Sequence, residues 1–207
     1  MGGEKIRHSR KLNKNGRLGI IMKRLDVHLM KQSKRMCGPA SLQMVLAYYG
    51  KIKNEKELKK KTGATYLNGT KPEEVVKVAR KFKLKANYSK NNSIEGLREA
   101  IKKKNPPIIG WFSPDSGSHF SVVIGFEKNE IIIADPNMEK IRKMKIEDFS
   151  DRWLDINWSK FSFIKQLFLF IVMSIHNKIS KFSNKRYKPP IKKGNLSFGE
   201  MILIKKK

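Results

Sequence analysis

The sequence predicts an α+β domain, a helical N-terminal part packed on an antiparallel sheet. Two observations carry the prediction. Helix-period stretches come first, between "CGPASLQMVLAYYG" and "SIEGLREAIKKKN". Then "PPIIGWF", "HFSVVIGF" and "EIIIAD" follow as strands, the last as hairpin partner of the one before it. Helices followed by a run of strands is the α+β pattern.

Taken in order, "LGIIMKRLDVHL" reads as one or two short extended pieces after a basic tail at 1–17. Residues 38–49 read as a helix, since Leu42, Val45, Leu46 and Tyr49 recur at three and four residues, with Gly50 as the stop. "NEKELKKKTG" is a short charged helix ended by Gly63. "GTKPEEVVKVARKF" starts with Thr70 as cap, Pro72 in the first turn, and Glu73 and Glu74 at the positive helix end. "LKANYS" reads as a strand, and "SIEGLREAIKKKN" as a helix capped by Ser93. After the central strands, "KIEDFSDRW" is a short helix and "GEMILIKKK" a final strand.

The chain of 207 residues fits one domain with an appendage: a domain over 18–154, an apolar and then basic insertion at 155–198, and the closing strand at 199–207. The longest uncharged run in the insertion is Gln166 to Asn177, twelve residues. A bilayer span needs roughly 17–25 apolar residues. The expectation is a helix in this insertion lying on a membrane or a partner and anchored by the basic flank, with residues 161–193 as the contact to an anionic membrane surface. Packing on the domain's own core and a true span are the alternatives.

The formal net charge is +28, carried by 36 lysines against 10 arginines. Lysine is a weaker signal than arginine for reading bases, and no aromatic-basic interleaving of the single-strand-binding kind occurs. Nucleic acid is therefore not the expected partner. No GxxxxGK[ST] phosphate loop occurs, which removes the common nucleotide motors. One cysteine forms no internal disulfide, so a reducing, cytoplasmic setting is expected, peripheral at the inner face of a membrane if the insertion anchors it. The N-terminus has no apolar run longer than "LGIIM", too short for a signal-peptide core. No cofactor or metal is expected.

That cysteine, Cys37, precedes Gly38-Pro39, and proline is tolerated in a helix only in the first turn. Cys37 therefore stands at a helix start, where unpaired N–H groups and the macrodipole favour a thiolate. On this stretch alone a buried core cysteine is the blander alternative. A thiolate nucleophile needs an imidazole partner. His119 opens the strand "HFSVVIGF" on a face with Ser121, Val123 and Gly125, small enough to line a cleft. Asp135 ends the next strand sixteen residues on and is the candidate to orient the ring. Register decides whether they meet. A two-residue turn at Lys128-Asn129 sets them on opposite faces. A three-residue loop pairs Ser121 with Asp135 and makes His119 the diagonal neighbour, Cβ atoms about 7–8 Å apart or less. The three-residue loop, with Asn129 left-handed, is therefore predicted. "ADP" as a plain turn remains the alternative. For an oxyanion, the Cys37 N–H and Gln32 are the candidate donors.

"Q…CGPASLQMVLAYYG", "HFSVVIGF" and "IIIADP", in this order and spacing, resemble the C39 family of papain-like cysteine peptidases. "EDFSDRW" and "GEMILIKK" are similar to that family's C-terminal portion. The resemblance covers roughly 25–154 and 199–206. It implies a papain-like fold, Cys37 as nucleophile, His119 as base, Asp135 as its orienting partner and Gln32 as oxyanion donor. Its best-known members are fused to peptide exporters and remove leader peptides after Gly-Gly, so a peptide or leader peptide is the implied substrate. Gln32 lies five residues before Cys37 where the family has six. No transporter domain accompanies this sequence, so coupling to export is not carried over. The insertion has no family counterpart. A peptide-binding module that does not cut, and a thiol acyltransferase or amidase, are the other functions compatible with these residues.

Overall fold

The computed structural model describes residues 24–156 and 196–207, and between them positions 162, 164, 165, 168, 171, 172, 175 and 179. The expected basic tail at 1–17 and most of the 155–198 insertion lie outside the described residues. The elements run α1 (Cys37–Tyr48), α2 (Glu55–Thr62), α3 (Pro72–Lys81), β1 (Lys85–Ser89), α4 (Ile94–Lys102), β2 (Ile108–Ser113), β3 (Gly117–Glu127), β4 (Glu130–Asp135), β5 (Lys140–Lys145), α5 (Ile146–Arg152), β6 (Leu154–Ile156), β7 (Leu196–Phe198) and β8 (Glu200–Lys205). Six strands form one antiparallel sheet in the order β1-β8-β2-β3-β4-β5.

Helix α1 is the central helix, with Leu42, Met44, Val45 and Leu46 fully buried. It packs on β3, α2 and α3. Its apolar residues are not confined to one stripe, as suits a helix covered on several sides. Helix α2 begins at Asn54, whose side chain accepts the Glu57 N–H at 2.8 Å. Helix α4 begins at Ser93, whose hydroxyl accepts the Gly96 N–H at 3.1 Å. Both caps satisfy donors that a helix start leaves unpaired.

Thr70 does not cap α3. Lys71 takes the cap position without a side-chain bond. Proline at the first helical position already removes one orphan donor, and Thr70 is drawn instead against α1. Residues 24–29, the described part of the stretch expected to be extended, form no strand, but the Leu25 N–H donates to the Ile124 carbonyl at 2.7 Å. Strand β5 and the β6–β7 ribbon were not foreseen. In β5, Ile141 and Met144 fall on opposite faces, so "KIRKMK" shows no apolar alternation. The ribbon pairs Leu154 with Phe198 and Ile156 with Leu196, so the chain leaves toward the insertion and returns from it side by side.

Between β3 and β4 the loop is the two-residue Lys128-Asn129 turn, not the predicted three-residue loop. Lys128, not Asn129, takes the left-handed conformation, at φ 50°. A regular ladder from that turn would have put His119 and Asp135 on opposite faces. The ladder is not regular. Glu127 pairs with Glu130 and Gly125 with Ile132, then a bulge shifts the register, and Val123 pairs with Ile133 and Val122 with Ala134. The extra residue is Ile124. One residue further, Asp135 stands opposite Ser121, as the longer loop would have placed it.

Leu46 is fully buried in the helix that carries Cys37. Leu46→Ala should lower unfolding free energy by about 2–5 kcal/mol, read from the urea midpoint at unchanged slope.

Candidate active site

Cys37 is the first residue of α1, and its first turn carries no acidic side chain. It is half-buried. Its neighbour Gly38 is required by close approach: a Cβ there would lie 2.6 Å from the Thr70 Cβ. The Thr70 side chain thus fills the space beside the helix start, which explains why it does not cap α3. Arg35, two residues before the cysteine, donates to the Tyr66 carbonyl at 3.2 Å and stacks 4.8 Å from its ring. These contacts hold the Thr65–Gly69 turn against the start of α1.

His119 reaches the site from β3 and is buried. Its Nε2 lies 2.9 Å from Asp135 Oδ1 at the end of β4. The ring also hydrogen-bonds the Cys37 sulfur. The structure therefore joins thiol, imidazole and carboxylate in one row. Ser121, on the same face, accepts the Trp111 indole N–H at 3.0 Å, which keeps the wall beside His119 packed and satisfied.

Burial works against charge on all three groups, and their partners overcome it. The Cys37 thiol would be raised by burial, but the His119 hydrogen bond and charge, with the N–H groups of Phe120 and Gly38, bring it below its ordinary value. Burial pulls His119 down, while the Asp135 and Cys37 bonds and their charges lift it to about 9. Asp135, also opposed by burial, is held at about 2 by His119 and then by Arg142. These directions favour the charged thiolate–imidazolium form over the neutral thiol–imidazole form.

Asp135 has further partners. Its Oδ1 accepts the Asn137 N–H at 2.9 Å, so it also closes its own Asp-Pro turn. Arg142 Nε donates to its Oδ2, and Arg142 Nη2 donates to Asp115 in the β2–β3 turn. Arg142 was not foreseen from sequence. The available signal was the turn itself: a tight return from Asp135 pairs it with Lys140, and two residues on, Arg142 faces it diagonally.

Gln32 is tethered to the same turn, not to Cys37. Its N–H donates to the Pro136 carbonyl at 2.9 Å and its Nε2 to Asn137 Oδ1 at 3.3 Å. Its Oε1 is buried without a hydrogen-bond partner among the described residues. No metal-binding cluster of His, Cys, Asp and Glu occurs among the described residues.

An antiparallel α+β fold that sets a cysteine at a helix start against a strand histidine defines a papain-like, cysteine-type peptidase domain. The Peptidase C39 family profile matches residues 26–157, and the chain belongs to that family. It is similar to a double glycine motif protease from an AMS/PCAT transporter, solved in complex with the leader peptide. That match has 31% identity and a TM-score of 0.52, over 62% of this chain and 86% of that one. It shares its fold with the peptidase domain of Streptococcus ComA, a bifunctional ABC transporter of a quorum sensing pathway, at 20% identity and a TM-score of 0.57, over 87% of this chain and 99% of that one. A C39-like peptidase from Bacillus anthracis matches at 21% identity and a TM-score of 0.51, over 60% and 87%. Comparison with curated proteins finds no match.

Two outcomes follow from the electrostatics. Iodoacetamide should still alkylate Cys37 readily as pH falls below the ordinary thiol range of about 8.5. In His119→Ala the inflection should move up, because the largest lowering influence is gone; identical profiles would remove the pairing. Asp135, depressed to about 2, stabilises the fold above its unfolded value of 3.8, and that stability is lost as pH falls through about 2. Arg142→Met raises the folded value, so urea unfolding from pH 7 to 3 should show lower stability at neutral pH and a shallower acid loss.

Proposed function

We propose that this chain is a peptidase that cleaves peptide bonds through Cys37, His119 and Asp135, with leader-type peptides bearing a Gly-Gly pair as substrate. The observation that carries the reading is the row of hydrogen bonds from the Cys37 sulfur through the His119 ring to Asp135. The likeness to a double glycine motif protease supports the choice of substrate. The setting is the cytoplasm, where a lone thiol stays reduced.

In this reading the Cys37 thiolate attacks the carbonyl carbon of the residue before the scissile bond. The carbonyl oxygen takes up negative charge at the start of α1, where backbone N–H groups and the helix dipole favour it. The His119 imidazolium gives its proton to the leaving amine, and the C–N bond breaks. The new N-terminus departs and a thioester remains on Cys37. Neutral His119 then takes a proton from water as the water attacks the thioester, and the carboxylic acid product leaves with the thiolate restored. Asp135 holds the ring in orientation and stabilises its charge.

Gln32 supplies the second oxyanion donor. Amide oxygen and nitrogen ends are assigned from the bonding network. Exchanging the ends of both Gln32 and Asn137 keeps their mutual bond, now from Asn137 Nδ2 to Gln32 Oε1. It turns the Gln32 Nε2 into the buried position that has no partner, where a donor has use for an anion.

Cleavage of a Gly-Gly peptide, followed by mass spectrometry, tests the reading. Cys37→Ala should abolish it, and Gln32→Ala should lower kcat about 10²–10³-fold. The rate should rise with pH through the lowered Cys37 value and fall as pH passes about 9, where His119 loses its proton. Equal turnover by Cys37→Ala overturns it.

A further inference from the structure

The positions described between β6 and β7 are helical at 164, 165, 168, 171, 172, 175 and 179. Ile164 is 79% exposed, Phe168 65%, Ile171 48% and Ile175 53%. Their spacing of four, three and four places all four within an arc of roughly 60° on a helix of 3.6 residues per turn. Exposed Lys165 borders this arc. Such large side chains on one continuous face are unusual at a solvent boundary and mark a surface that is covered in use.

The charge around the stripe says what covers it. Between Asp155 and Glu200 the sequence has no acidic residue, but it has eight lysines and Arg186, most of them after Asn177. A second copy of the chain would bring two such basic segments together, which repel. A nucleic acid would answer the charge and leave the apolar face uncovered. Among the described residues no helix is long and apolar enough to cross a membrane. An anionic lipid surface satisfies both features at once: acyl chains take Ile164, Phe168, Ile171 and Ile175, and the headgroups take the lysines.

We propose that the apolar face formed by Ile164, Phe168, Ile171 and Ile175 docks this peptidase on an anionic bilayer surface. Phe168 and Ile171 enter at the centre of the contact. The basic segment after it sets the preference for anionic headgroups, at about five-fold in affinity for each lysine or arginine near the surface.

The test is flotation of the full chain with vesicles of phosphatidylcholine alone or with phosphatidylglycerol, at 0.1 M and 0.5 M salt. Binding to the mixed vesicles should exceed binding to the neutral ones at least tenfold and weaken at the higher salt. The double variant Phe168→Asp with Ile171→Asp, both exposed positions, should lose at least tenfold in binding while its thermal unfolding midpoint is unchanged. Absence of flotation overturns the proposal, as does equal binding to both vesicles or full binding by the double variant. A dimer in solution that the double variant splits, with no vesicle binding, assigns the face to a second copy instead. None of these readouts uses peptide cleavage, so they stand apart from the proposed activity.

Discussion

The register between β3 and β4 is the constraint on which the site rests. Side chains alternate across a sheet, so a slip of one residue moves Asp135 to the far face. Ile124, the extra residue of the bulge, supplies that slip and brings the carboxylate to His119. A bulge leaves its extra residue outside the ladder. Here the Ile124 carbonyl is satisfied by the Leu25 N–H, so the N-terminal segment steadies the irregularity. Gly125 lets that segment lie close, since a Cβ there would stand 3.2 Å from the Arg24 Cα. The α1 start, the bulge and the β4 end thus form one connected arrangement.

Charge inside that arrangement is sustained by mutual bonding. Burial alone disfavours a thiolate, an imidazolium and a carboxylate alike. The charged form of each is favoured by the charge of the next, and the row ends on Arg142. Arg142 also reaches Asp115, so a turn on the other side of β3 helps to fix the guanidinium. Removing any one partner leaves a buried charge without compensation, which is costly.

The appendage enters and leaves the domain at one place. Strands β6 and β7 pair there, and Gly199 turns the chain back into the main sheet at φ 59°. A Cβ at that position would lie 2.5 Å from the Asn92 carbonyl oxygen, so glycine is needed for both conformation and space. The two ends are held side by side, apart from the order of the main sheet. That arrangement suits a surface-binding element carried on a peptidase.

Much of the fold was legible in sequence. The apolar spacing of Leu42, Val45 and Leu46, the Asn54 to Gly63 and Ser93 to Lys102 helices, and the order of the central strands all follow from local patterns, because helix caps and burial periodicity are local physics. Cys37, His119, Asp135 and Gln32 were named from motif and spacing. Strand β5 was not legible, since its apolar residues do not alternate, and with it Arg142 went unseen. The turn after β3 was misread because a bulge, which no turn residue announces, did the work assigned to a longer loop. By itself, then, the sequence determined the helices, the central strands with their hairpin, and the reactive residue types. Only the tertiary structure decided which face Asp135 occupies, what holds it charged and where Gln32 is tethered, because register and burial arise from contacts between distant segments.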